Sequence, residues 1–131
     1  MATTALQGEV AAFFDAFVEA FQTFDGQRIA RRYLAPYSAL HAGGSVECFS
    51  TPPEIAAYFQ KVVEGYHSQG CRSCRYGELE VVSMGQACVL GTVTWDLLLE
   101  DGRVLQSWRE SYNLARTAEG LRVFATVDHA D

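Results

Sequence analysis

Glu110 is a carboxylate where an apolar residue is expected. Asp101 and Gly102 tolerate positive φ and suit a two-residue type I′ turn. Counting outward from them, Val93 faces Glu110, Thr94 faces Arg109, Trp95 faces Trp108 and Leu98 faces Leu105. Opposed residues share a sheet face. One side therefore carries Val93, Trp95, Leu97, Val104, Trp108 and Tyr112 with Glu110 among them, and the other carries Leu90, Thr94, Asp96, Leu98, Leu105 and Arg109. A carboxyl in apolar surroundings resists ionisation. Such a group serves as a hydrogen-bond donor or as a general acid or base. It serves equally as structural glue when an Arg or Tyr inside the core binds it.

Further groups compete for a chemical role. Counted across a turn at residues 117–120, Val123, Ala125, Val127 and His129 fall on the Glu110 side, with His129 next to Trp108. The same count sends Phe124, Thr126 and Asp128 to the other side. Asp96, Arg109 and Asp128 then converge on that outer face, where an Arg between two Asp is usually an ion-pair network. Cys71 and Cys74 form a Cys-x-x-Cys at the start of a strand. A redox pair wants a helix N-terminus and a zinc site wants two more ligands at matching spacing, so both read as structural thiols and no metal is expected. Phe17, Tyr58, Trp95, Trp108 and Tyr112 either fill the core or line a pocket in it.

The elements that must position these groups are legible in the periodicity. Residues 4–24 repeat Leu6, Val10, Phe13, Phe14, Phe17 and Phe21 at helical spacing, with Thr4 and Gln7 resembling a capping box. A second short helix follows Asp25-Gly26, with Ile29, Tyr33 and Leu34 inward, and Pro36 ends it. Residues 37–42 and 45–49 alternate as two strands around Gly43-Gly44. Thr51, Pro52, Pro53 and Glu54 open a third helix that runs to residue 68, where Gly70 closes it. A strand over 71–82 leads into the hairpin stretch. Its facing depends on the turn: one option turns Glu78 and Glu80 toward the helices, the other Leu79 and Val81, and burial favours the second. Helices early and an antiparallel sheet late make an α+β domain with helices on one sheet face.

The chain has 131 residues, enough for one domain, 1–131, with a sizeable core. Its 49% hydrophobic and 20% charged residues are those of an ordinary globular protein. A net charge of -6 without a basic stripe argues against nucleic acid or an anionic membrane as partner. No apolar run approaches a bilayer span and no signal peptide is evident, so a cytoplasmic location is expected.

Arg32-Tyr33-Leu34-Ala35-Pro36 leading into Ala39-Leu40-His41, the Thr51-Pro52-Pro53-Glu54-Ile55 helix start and the closing Glu119-Gly120-Leu121-Arg122-Val123 resemble the nuclear transport factor 2-like superfamily. That cone-shaped, cystatin-like fold is shared by SnoaL-like polyketide cyclases, ketosteroid isomerases, scytalone dehydratases and limonene epoxide hydrolases. The resemblance implies a curved sheet wrapping an apolar pocket closed by three helices. It also implies a homodimer through the outer sheet face, where Leu90, Leu98, Leu105 and Phe124 lie. By similarity, Glu110 falls near the protonated acid of the isomerases' oxyanion hole. His41 falls near their catalytic base, although one extra residue before Pro36 would put Ala42 there and turn His41 outward. Relatives often carry a histidine near His129. Asp96, Arg109 and Asp128 resemble the water-activating trio of the epoxide hydrolases, and the isomerases' tyrosine on the first helix has no counterpart beside Phe17.

Two functions follow as expectations. One is a cofactor-independent isomerase, lyase or cyclase acting on a hydrophobic small molecule through Glu110 with His41 or His129. The other is a non-catalytic dimeric ligand-binding or association module.

Overall fold

A computed structural model describes residues 2–130. The elements run α1 (Thr4–Phe21), α2 (Gly26–Ala30), β1 (Tyr33–Leu40), β2 (Val46–Phe49), α3 (Pro52–Ser68), β3 (Cys71–Ser83), β4 (Cys88–Leu99), β5 (Val104–Thr117) and β6 (Gly120–Asp128). The strands form one sheet in the order β2-β1-β6-β5-β4-β3. It is a curved, unclosed sheet with three helices on its concave side, an α+β architecture. Neighbouring strands are antiparallel except β1 and β6, which run parallel. Among the described residues, no helix is long and apolar enough to cross a membrane.

Local chemistry accounts for the helix ends. Thr3, one residue ahead of the expected cap, accepts from the Leu6 amide at 3.1 Å and starts α1. The helix stops at Phe21, short of residue 24. In α3 the box is as read: the Thr51 hydroxyl accepts from the Glu54 amide, and a Glu54 carboxylate oxygen accepts from the Ser50 amide at 3.3 Å. Gly70, at φ 103°, ends that helix by donating to the His67 carbonyl. Gly26 lets α2 touch α3, since a Cβ there would collide with the Ala56 carbonyl oxygen.

Pro36 does not end a helix. Tyr33 and Leu34 already belong to β1, with Tyr33 buried and Leu34 exposed. The proline sits in the irregular stretch between the Tyr33–Val123 and Ser38–Ala125 pairs, where β1 makes no ladder bond that its missing N–H would break. In β3, Leu79 and Val81 pack against the core as burial demands, with a bulge at Glu78, φ 53°, setting the facing.

The hairpin turn holds three residues. The Leu99 amide donates to Arg103 and the Gly102 amide to Leu99, with Gly102 at φ 88°. One residue is thus gained in the turn. A bulge beyond it then pairs Leu98 with Val104, skips Leu105 and pairs Leu97 with Gln106. Val104 consequently lies exposed and Leu105 leans on the core, the reverse of the expected facing. From Leu97 onward the register is the counted one, with Trp95 opposite Trp108 and Val93 opposite Glu110. β6 carries a bulge of its own. Leu114 pairs with Val123, Asn113 with Ala125, and Phe124 is the extra residue.

Candidate functional site

β5 alternates around the key acid, with Trp108, Glu110 and Tyr112 on the concave side. The Phe124 bulge brings the neighbouring strand into unexpected phase: Thr126 lies opposite Tyr112, and Asp128 opposite Glu110. Two carboxyl groups, expected on opposite faces, therefore meet on the inner one. They border a cavity of about 220 Å³ between the sheet and α3.

Glu110 is held by an indole donor from its own strand. The Trp108 indole N–H donates to its Oε1 at 2.9 Å. The neighbouring Tyr112 hydroxyl accepts from the Trp95 indole at 2.7 Å. Asp128, its cross-strand partner, places a second carboxyl group beside it. Burial first, and then the Asp128 charge, push Glu110 up to about 8 against the opposing pull of the Trp108 and Tyr112 donors. What surface Glu110 keeps faces the cavity. Tyrosines complete the polar lining: Tyr37 is hydrogen-bonded to the Thr126 hydroxyl at 2.7 Å. Burial, followed by the Glu47 charge, pushes Tyr58 up to about 12, and burial with the Glu110 charge does the same for Tyr66. All remain neutral hydroxyls near neutral pH.

A path leads outward from the acids. His41, just beyond β1, lies at the cavity mouth with its Nδ1 at 3.6 Å from Asp128 Oδ2. Its Nε2 is 2.8 Å from Glu47 Oε1, at the solvent edge. The order Glu110, Asp128, His41, Glu47 thus joins the cavity to bulk water through side chains alone.

Comparison with known families now decides the relationship. The family model of NTF2-like protein (DUF6841) matches residues 8–131. The chain belongs to this NTF2-like family. Solved structures agree on the fold. Aln2 from a Streptomyces species superposes with a TM-score of 0.80 at 20% identity, over 100% of this chain and 94% of that one. A protein with a cystatin-like fold from Nostoc punctiforme gives 0.77 at 12% identity, over 100% and 96%. A Streptomyces avermitilis protein of the NTF2-like family, provisionally assigned as a dehydratase, gives 0.70 at 17% identity, over 95% and 94%. No curated protein matches the chain.

Within this NTF2-like chain the expected residues divide clearly. Phe17, Tyr58, Trp95, Trp108, Tyr112, Glu110 and His41 all border the one cavity. His129 borders the cavity as well, but its ring turns away from Glu110. The bulge puts its backbone opposite Arg109, and its exposed ring reaches 2.8 Å from the Ser111 hydroxyl, which is bonded in turn to Thr92. The Asp96, Arg109 and Asp128 trio is not assembled. Asp96 pairs with Arg75 at 2.9 Å, Arg109 with Glu80 at 2.5 Å, and Asp128 is inside. Cys71 and Cys74 are free and buried, and burial pushes Cys74 up to about 12, far from a reactive thiolate. Sequence counting missed Asp128, Thr126 and Tyr37. Tyr37 carried a signal, since a tyrosine alternating with Ala39 in a half-buried strand points inward.

Proposed function

We propose that the chain is a cofactor-independent enzyme that moves a proton at a carbon next to a carbonyl in a flat, hydrophobic small molecule. Isomerases, lyases and cyclases share this step. The observation that carries the proposal is the pairing of Glu110 with Asp128 at the wall of an aromatic chamber. Burial and the nearby Asp128 charge keep a proton on Glu110 to give, and Asp128 supplies a second carboxyl to take one. The cavity exceeds the roughly 150 Å³ that accommodates benzene, leaving room for a one- or two-ring ligand among the tyrosine and tryptophan faces.

In this scheme the ligand's carbonyl oxygen accepts the Glu110 proton. Asp128 removes the proton on the adjacent carbon, and the electron pair of the broken C–H bond flows into the enol. Return of the proton at another carbon gives an isomer, and expulsion of a β leaving group gives an elimination product. His41, held between Asp128 and Glu47, passes the abstracted proton to and from water. Similarity to a provisional dehydratase is consistent with this class.

The half-reaction is testable without knowing the product. Incubation with cyclic and aromatic ketones in D2O, followed by NMR, should show deuterium entering next to the carbonyl in the wild type. Glu110→Gln should abolish exchange while the fold and ligand binding persist. Saturable ketone binding with no exchange above the Glu110→Gln background would instead make the chain a binding module.

A further inference from the structure

The chain's arginines are sorted by place. Arg28, Arg75, Arg103, Arg109 and Arg116 each lie against an Asp or Glu. Arg72 donates to the carbonyl oxygens of His67 and Cys71. Arg31, Arg32 and Arg122 are left without an ion-pair partner among the described residues, and all three line one groove of about 620 Å³ between α2, the start of α3 and the β1–β6 junction.

Backbone geometry makes the clustering deliberate. Tyr33 and Val123 are partners in the parallel β1–β6 pair, and the Val123 amide donates to the Arg32 carbonyl at 2.9 Å. The residues just before each partner, Arg32 and Arg122, are thereby brought side by side. Neither guanidinium is free to leave easily. Arg32 is half-buried with its guanidinium 5.9 Å from the Phe13 ring centroid, and Arg122 donates to the Leu121 carbonyl at 2.7 Å. Burial, and then the Arg122 charge, lower the Arg32 pKa, as expected for like charges confined together. Glu119 also borders the groove but stands beyond ion-pair reach of all three.

We infer that this groove is a second binding site, for a small molecule bearing a phosphate-type dianion, gripped by Arg32 and Arg122 and closed over by the exposed Arg31. Guanidinium forks match tetrahedral oxyanions bidentately. An anion there converts a repulsive pair into a neutralised one. Leu34, Pro52 and Pro53 give the same groove an apolar rim on which the uncharged part of such a molecule rests. The prolines at the start of α3 present no N–H groups, so recognition falls to the arginines.

Pyrophosphate is the probe. Calorimetric titration at ionic strength held constant with sodium chloride should show saturable binding with one site per chain. Arg32→Gln and Arg122→Gln should each weaken it about tenfold or more, as the loss of charged hydrogen bonds implies. Arg31→Gln, at an exposed position that does not threaten folding, should weaken it less. Arg75→Gln on the far side of the sheet should leave it unchanged. Absence of saturable binding, or equal weakening by Arg75→Gln, overturns the inference.

Discussion

The two long helices cover the same sheet face in opposite ways. α1 buries Val10, Phe13, Phe14, Phe17 and Phe21. It lies so close that a Cβ on Gly91 of β4 would come within 3.0 Å of the Phe14 ring. α3 buries only Ile55 and Val63, while Tyr58, Phe59, Val62 and Tyr66 edge the chamber. Under the first turns of α1 the apolar surface is packed tightly, while its last turns, through Phe17 and Phe21, and the whole of α3 edge open space. A carboxyl pair is tolerated only in the second region, where its polar atoms meet tyrosines, indoles and open space. Tight packing and open chamber thus fall to different regions of one continuous sheet, the first under Val10, Phe13 and Phe14, the second under α3 and the end of α1.

This division can be broken by substitution. Phe14, fully buried, touches Tyr76, Trp95 and Tyr112. Phe14→Ala should cost about 3–5 kcal/mol in urea unfolding. Val62→Ala, facing the chamber, should cost about 1 kcal/mol, and similar losses at both sites would erase the contrast. Gly26→Ala, which forces a methyl into the Ala56 carbonyl, should destabilise by about 1–3 kcal/mol through displacement of α2 from α3.

The chemical half is sharpened by pH. Glu110 ionises near 4.5 in an unfolded chain and near 8 in the fold, so folding takes up a proton between those values. Stability from this group is therefore greatest at low pH and declines as pH rises from about 4.5 through about 8. Thermal melts across that window should slope downward for the wild type and less steeply for Glu110→Gln. The smallest effect expected is that of Trp108→Phe. Removing the indole donor should cost about 1 kcal/mol or less and move the Glu110 titration, followed by carboxyl-carbon NMR, further upward.

The sequence revealed the fold in most of its parts and the site in about half, and the reason lies in single-residue bulges. The three-residue turn at Glu100–Gly102 and the bulge at Leu105 shift the register in opposite senses, so a count that ignored both still placed Glu110 opposite Val93. At Phe124 one bulge stands uncompensated, and the same way of counting sent Asp128 and Thr126 to the wrong face and His129 to the Glu110 side. Val123, Ala125 and Val127 alternate as well in either phase, so hydrophobic pattern carried no warning. Pro36 misled for a related reason: a residue that usually ends helices sits harmlessly where β1 leaves its ladder. The arginine groove depended on the parallel β1–β6 contact, which joins residues 90 positions apart and has no local signature.

The chain has two tryptophans, and both line the chamber: Trp108 donates to Glu110, and Trp95 donates to the neighbouring Tyr112 hydroxyl. Its tryptophan fluorescence therefore originates wholly beside the chamber. Excitation near the red edge of the indole band turns the unmodified protein into its own sensor, reporting ligand entry and carboxyl titration without a label.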